Sequence, residues 1–475
     1  QDRSVDQVPP DAEDPLRAVL FVYQKTSSGR QTAMHAALLA ATLALAIAPA
    51  AASAPQQASP AEGPPVLSDA LDLFQLSVNA SVFAGRSAAA AAGRARHLEA
   101  ALEPLLAAVP RNAQGRVDAP AVRYVLHRLF HGQRGWRVEG LDPEGRAWNS
   151  SGLAGITVLR RLPAGSLALV LGRWEERGLD ADEVALLAST IEGLVHGEAA
   201  ERLRAVYQLR GLPTDAPVDE QRVAAAVDFC LASYVIGRKV SAITEKDLLT
   251  QYSRLGELFP AWNATRDWVH GLVAARAGAA SGSARTLDFA DAVGAMEAAS
   301  DGQGRFQDGA CSAMKTSLAS IEEAGTGRVR LADFYGEALG GKWQFQESVG
   351  YLRQNGALDE GNPGNVRVII PNYVNGLSNC VGASDYHSVC CISECEGLRG
   401  HVERALGRPD GTPGEIATVV AALASATAPA RGALEPSLML RLRRIAADHG
   451  GRVPVYGRLF AQWMHHAYPR ECEYP

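Results

Sequence analysis

The stretch "LDADEVALLASTIEGLVHGEAAERLRAVYQL", residues 179–209, constrains the fold more than any other part of the chain. Asp180 stands at a helix N-cap with Glu183 in the capping-box position, so two orphan backbone donors are satisfied reciprocally. Val184, Leu187, Ile191, Leu194 and Val195 then fall on one face at the helical period. A long amphipathic helix needs partners of its own kind. "DEQRVAAAVDFCLASYV" and "PSLMLRLRRIAADHG" read the same way, which makes the chain mainly α.

Its 475 residues suffice for two or three domains. "ARAGAASGSAR", residues 275–285, reads as a flexible break. The expectation is a multi-helix bundle in two helical domains, 66–274 and 286–475. "NVRVIIPNY" is the one extended segment, and it opens a Cys-rich loop over 365–396.

The string Gly-Arg-Val or Gly-Arg-Phe recurs at Gly115, Gly304, Gly327 and Gly451, each time between helix-like segments. This predicts helix–loop–helix units with degenerate EF-hand-like loops. A calcium loop needs oxygen ligands at positions 1, 3, 5 and 12 and glycine at 6. With Gly327 at position 6, Glu322 falls at 1, Thr326 at 5 and Asp333 at 12, but Ala324 occupies 3. Arg328 and Arg330 add positive charge that opposes a cation. Glu322, Thr326 and Asp333 therefore form a weak calcium candidate at most, and no other cofactor is expected.

The N-terminal half of the chain carries a targeting signal. From Met34 the sequence reads "MHAALLAATLALAIAPAAASAPQQ", a short apolar run ending in small residues near Ala52 and Ala54. This is the pattern of a secretory signal peptide over 34–54. Residues 1–33 are expected to be a non-native or disordered leader and 55–65 a Pro-rich linker. No later run approaches a membrane span, so a soluble, secreted or secretory-compartment product is expected. Sequons at Asn79, Asn149 and Asn263 are candidate glycosylation sites in that route.

Four of the seven cysteines crowd into "NCVGASDYHSVCCISEC", and Cys472 lies near the C-terminus. In an oxidising compartment Cys380, Cys390, Cys391, Cys395 and Cys472 are disulfide candidates with open connectivity. His387 permits a zinc alternative, but the C-x-x-C spacing common in structural zinc sites is absent. Cys230 and Cys311 sit in apolar helical contexts, as small core residues or a single bridge.

The formal charge of −6 leaves no basic footprint for nucleic acid. Nucleophile-elbow, phosphate-loop, dinucleotide and HExxH motifs are all absent. His127 and His131 share a helix face, His465 and His466 are adjacent, and a Glu192–His196 pair reads as an i,i+4 ion pair.

"NVRVIIPNYVNGLSNC", "HSVCCISECEGL" and "GRLFAQWMHHAYPREC" resemble segments of a large group of secretory-route proteins from dinoflagellate algae. The likeness extends to "VRYVLHRLF" and "LASTIEGLVHGEA". It implies no established activity, so no catalytic residue is carried over. The resulting expectation is a secreted, disulfide-stabilised helical protein that binds a protein or surface partner without catalysis. The alternatives are a hydrolase-like enzyme using dispersed histidines and carboxylates, and a weak calcium-binding module.

Overall fold

The computed structural model describes residues 88–475 apart from 142–151, 163, 237, 239, 241–243, 259–260, 278–284, 341–344, 383 and 385. The leader, signal and linker expected over 1–65, and the sequons at Asn79 and Asn149, lie outside the described residues.

The protein is mainly α, and its helices are organised by their loops. Helix α1 (Ala88–Ala107) leads to Val117 and α2 (Ala119–Arg134), followed by strand β1 (Trp136–Val138). Helix α3 (Ala164–Arg177) leads to Leu179 and α4 (Ala181–Leu209). Val117 and Leu179 exchange backbone hydrogen bonds of 2.8 and 2.9 Å, which ties the two loops together.

The same arrangement recurs three times among the described residues. After α4 come β2 (Val218–Asp219) and α5 (Glu220–Ile236), then α6 (Glu245–Tyr252), α7 (Leu255–Leu258) and α8 (Trp262–Ala277). Strand β3 (Thr286–Leu287) pairs antiparallel with β2 and opens α9 (Phe289–Ser320). Next, β4 (Arg328–Arg330) with α10 (Leu331–Gly340) faces a second unit. That unit is α11 (Val349–Gln354), β5 (Leu358–Asp359), β6 (Arg367–Ile369) and α12 (Ile370–Val374). Val329 lies opposite Val368 across β4 and β6.

Strand β7 (His387–Val389) returns to pair with β1. The chain closes with α13 (Glu394–Leu406), β8 (Asp410–Gly411), α14 (Pro413–Ala421), α15 (Pro436–Asp448), β9 (Val453–Pro454) and α16 (Arg458–Ala467). Strands β8 and β9 form the fourth ladder.

The physical cause is local. Val117, Leu179, Val218, Leu287, Val329, Val368 and Val453 sit at these ladders, each at most 3% exposed. Each loop thereby buries one aliphatic side chain and satisfies its own backbone groups. Acidic caps then restart the helices. Asp180 accepts the Glu183 N–H at 3.0 Å while Glu183 accepts the Asp180 N–H at 3.1 Å, and Asp288 accepts from Asp291 at 2.7 Å. Helices α4 and α9, of 29 and 32 residues, each serve two consecutive loop pairs, which accounts for their length.

Three of the four Gly-Arg strings lie in these loops. The fourth does not: Gly304 sits within α9 rather than in the expected loop. A Cβ there would stand 2.2 Å from the Arg134 carbonyl oxygen, so glycine is what lets the end of α2 rest on α9. The string is shared, but its use is different.

Packing also continues across residues 275–285, where a break between domains is expected. Val273 and Ala277 on one side and Leu287, Ala292 and Ala295 on the other belong to one hydrophobic cluster. The described residues, from Ala88 to Pro475, lie within one compact unit.

Three disulfides brace the C-terminal part. Cys380 joins Cys390, Cys395 joins Cys472, and Cys391 joins Cys311 of α9. All five cysteines singled out in the sequence are bridged. Cys311 departs from the expected role as a core thiol or a partner of Cys230: it lies beside Cys391 with a Cα–Cα distance of 5.9 Å. Cys230 is a buried free thiol whose pKa burial pushes up to about 12, which keeps it a neutral, inert side chain. Among the described residues no helix is long and apolar enough to cross a membrane.

Candidate functional site

The Cys380–Cys390 bridge closes a ten-residue loop over the faces of α4, α5, α8 and α9. Beneath that loop is a cavity of about 60 Å³. On this measure a water needs about 10–15 Å³, so the space holds a few water-sized groups or one small molecule. Its apolar wall comes from Val195, Leu231, Met296 and Ala299 on the helices and Val381 and Val389 on the loop. The interlocking of loop and helix is close: Gly382 leaves no room for a Cβ beside the Tyr234 ring.

The polar groups of the cavity fall into two sets. Glu198 and Arg202, both half-buried, form an i,i+4 ion pair at 3.3 Å, and the Arg202 guanidinium lies 4.8 Å from the centre of the Tyr234 ring. The Ser384 hydroxyl donates to Glu198, which fastens the disulfide loop to α4. Deeper in, His387 and Thr265 are more than nine-tenths buried. Neither His387 Nδ1 nor Thr265 Oγ1 has a hydrogen-bond partner. Burial, with Arg202 and His196 nearby, depresses the His387 pKa to about 3, so its imidazole is neutral at physiological pH. A neutral ring nitrogen and a hydroxyl can each donate or accept.

Behind the cavity wall lies a buried polar cluster. Glu192 and His196 share one face of α4, and α9 brings Asp301 against them. His196 Nε2 meets Asp301 Oδ1 at 2.9 Å. Glu192 is paired with Arg134 at 3.2 Å, and Arg134 also reaches Asp301 at 3.5 Å. The expected Glu192–His196 pair is thus replaced by partners from α2 and α9, because the packed helices place stronger ones within reach. Arg134 stacks on Trp136, with 4.8 Å from guanidinium to ring centre. Trp136 presents its edge to His196 and donates from Nε1 to the Ser300 carbonyl at 3.1 Å.

The calcium candidates are spent on the protein itself. Glu322 accepts the N–H groups of Gly325 and Gly327 at 3.1 and 3.0 Å and is ion-paired with Arg470. Asp333 accepts from Arg330 at 2.6 Å, and Thr326 donates to the Glu323 carbonyl. A cation at this loop would have to displace both arginines. Asn263 is exposed in the first turn of α8.

His127 and His131 stack at 5.3 Å between α2 and α13, where burial lowers His127 to about 4. His465 is buried and donates from Nδ1 to the Cys472 carbonyl at 2.7 Å. His466 lies against Arg441 at 3.1 Å. The cavity is lined by none of these four histidines.

The sequence offers His387 only as a possible zinc ligand and Asp301 only as a position in an incomplete calcium loop at Gly304, and it singles out neither Thr265 nor Arg134. One signal was available for the scaffold. Val117-Asp118, Leu179-Asp180, Val218-Asp219 and Leu287-Asp288 repeat an aliphatic–aspartate step at the first four helix restarts in the loop pairs. Set against known protein families, curated proteins and solved structures, the chain matches none.

Proposed function

We propose that the protein acts by binding, as a secreted, disulfide-braced helical scaffold whose cavity takes a small, uncharged, largely apolar molecule. The observation that carries this reading is the lining of the cavity. Apolar side chains from three helices and a disulfide-closed loop surround two buried polar atoms, His387 Nδ1 and Thr265 Oγ1, that lack partners. Leaving such atoms unsatisfied costs about 1–3 kcal/mol each, a penalty that a ligand hydroxyl or carbonyl would relieve. A charged ligand is disfavoured because Glu198 and Arg202 are already paired with one another, and desolvating a third charge costs more than the two neutral groups return. The three disulfides support an oxidising compartment and hence secretion. The fixed loop pairs serve as architecture that holds the cavity walls.

Thermal-shift titration of the oxidised protein with isopropanol, isopropyl chloride and acetate, which match a cavity of this size, tests the reading. Isopropanol is expected to stabilise most, isopropyl chloride less and acetate not at all. Ala299→Phe fills the cavity and should abolish the response. Thr265→Val should weaken isopropanol and leave isopropyl chloride unchanged. A wild-type protein that responds to none of the three, or a response that survives Ala299→Phe, refutes the cavity as the binding site.

A further inference from the structure

We propose that Glu192, His196 and Asp301 form a site for a divalent transition-metal ion of the zinc class. This goes beyond the cavity reading and does not depend on it.

The placement comes from helix geometry. Residues four apart on α4 project from one face, so Glu192 and His196 present their donors side by side. Asp301 on α9 approaches from the other side. The three candidate ligand atoms all lie within 4.8 Å of one another. Ligands on a tetrahedral ion with bonds of about 2.0–2.2 Å sit roughly 3.3–3.6 Å apart. Side-chain rotation alone can close the remaining gap.

A second observation points to the same place. Glu192 is 3% exposed and His196 is 2% exposed, yet Glu192 Oε2 and His196 Nδ1 have no hydrogen-bond partner. A buried carboxylate oxygen without a donor is desolvated and free to take a cation. The donor set, one imidazole and two carboxylates, suits zinc, cobalt or iron better than calcium or magnesium, which prefer oxygen alone. The Asp301 side chain is 35% exposed, so an ion can enter from solvent and keep a water ligand there. Trp136 packs against His196 with 5.8 Å between ring centres, which restricts rotation of the imidazole.

Arg134 is the opposing element. Its contacts to Glu192 and Asp301, at 3.2 and 3.5 Å, are long for charge-assisted hydrogen bonds, and its Nη1 has no partner. It offsets one of the two carboxylate charges, and Arg305 acts on Asp301 as a second positive charge. A divalent ion therefore binds against Arg134, not with its help. Removing that charge should tighten binding, whereas a network that is only structural would simply weaken.

The test uses tag-free, oxidised full-length protein stripped with chelator and titrated with Co²⁺, then with Zn²⁺ as competitor. One Co²⁺ per chain should give visible d–d absorption that Zn²⁺ removes. His196→Ala and Asp301→Asn should each weaken binding on the order of 100-fold, and Arg134→Gln should strengthen it about tenfold. Asp301→Asn is isosteric and part-exposed, so it decides the matter if His196→Ala does not fold. Absence of Co²⁺ binding at millimolar concentration overturns the proposal. So does binding that persists in Asp301→Asn, or an Arg134→Gln protein that binds no better than wild type.

Discussion

Replacing Arg128 with Met should destabilise the protein strongly at neutral pH and distinctly less in acid. Arg128 lies in α2 with a side chain 3% exposed, ion-paired with both Glu396 and Glu403 of α13. Glu403 is fully buried, and Glu396 is 15% exposed with Arg399 at 3.6 Å. Removing one member of a buried ion network leaves uncompensated charge and typically costs about 3–5 kcal/mol. The pH dependence follows from Glu396. Burial pushes its carboxyl up, but Arg128 and Arg399 outweigh that and hold it at about 2, below the ordinary 4.5. At 1.36 kcal/mol per pKa unit, that difference is worth about 3 kcal/mol. A depressed folded pKa stabilises above the unfolded value and loses its contribution as pH falls from about 4.5 through about 2. In Arg128→Met that support is lost: Glu396 keeps only Arg399 against its burial, its carboxyl moves up from about 2, and the acid-labile part of the stability shrinks. Urea unfolding followed by tryptophan fluorescence at pH 7 and pH 3, disulfides intact, should show a gap of about 4 kcal/mol falling to about 1–2 kcal/mol, because a carboxyl at about 2 is still largely ionised at pH 3. A deficit under about 1 kcal/mol at pH 7, or one independent of pH, would refute the reasoning.

Three further outcomes are expected. Gly304→Ala, which by helix propensity alone would stabilise by about 1 kcal/mol, should instead destabilise by on the order of 2 kcal/mol because its Cβ meets the Arg134 carbonyl; a raised denaturation midpoint would contradict this. Gly327→Ala should cost about 3 kcal/mol, combining a backbone φ of +67° with a Cβ 1.9 Å from the Pro469 carbonyl oxygen. Calorimetric melting would expose the error if the loss were under about 1 kcal/mol. Opening the Cys395–Cys472 bridge, which spans 77 residues, with paired serines should cost about 4 kcal/mol. Opening Cys380–Cys390, which spans 10, should cost about 3 kcal/mol, and the reverse order would argue that strain rather than chain entropy governs them.

The helical class, the start of α4 at Asp180 and Glu183, and the bridged state of the C-terminal cysteines were readable in the sequence. Each depends on neighbours within a turn or two, or on the compartment, and such information is local. The aliphatic residue after Gly-Arg was likewise legible as a packing residue in the loops at Gly115, Gly327 and Gly451. The same string at Gly304 misled, because only the approach of α2 shows why glycine is needed inside a continuous helix. Cys311 and Cys391 are 80 residues apart, and no spacing rule joins them. The candidate site was almost wholly hidden. Glu192 and His196 could be placed on one helix face, but their partners Arg134 and Asp301 come from other helices. The cavity exists only because four helices and one disulfide-closed loop meet. Local sequence selected the elements, since propensity, capping and period act over a few residues. Tertiary structure decided which buried polar atoms face one another, since that is set by the packing of surfaces remote in sequence.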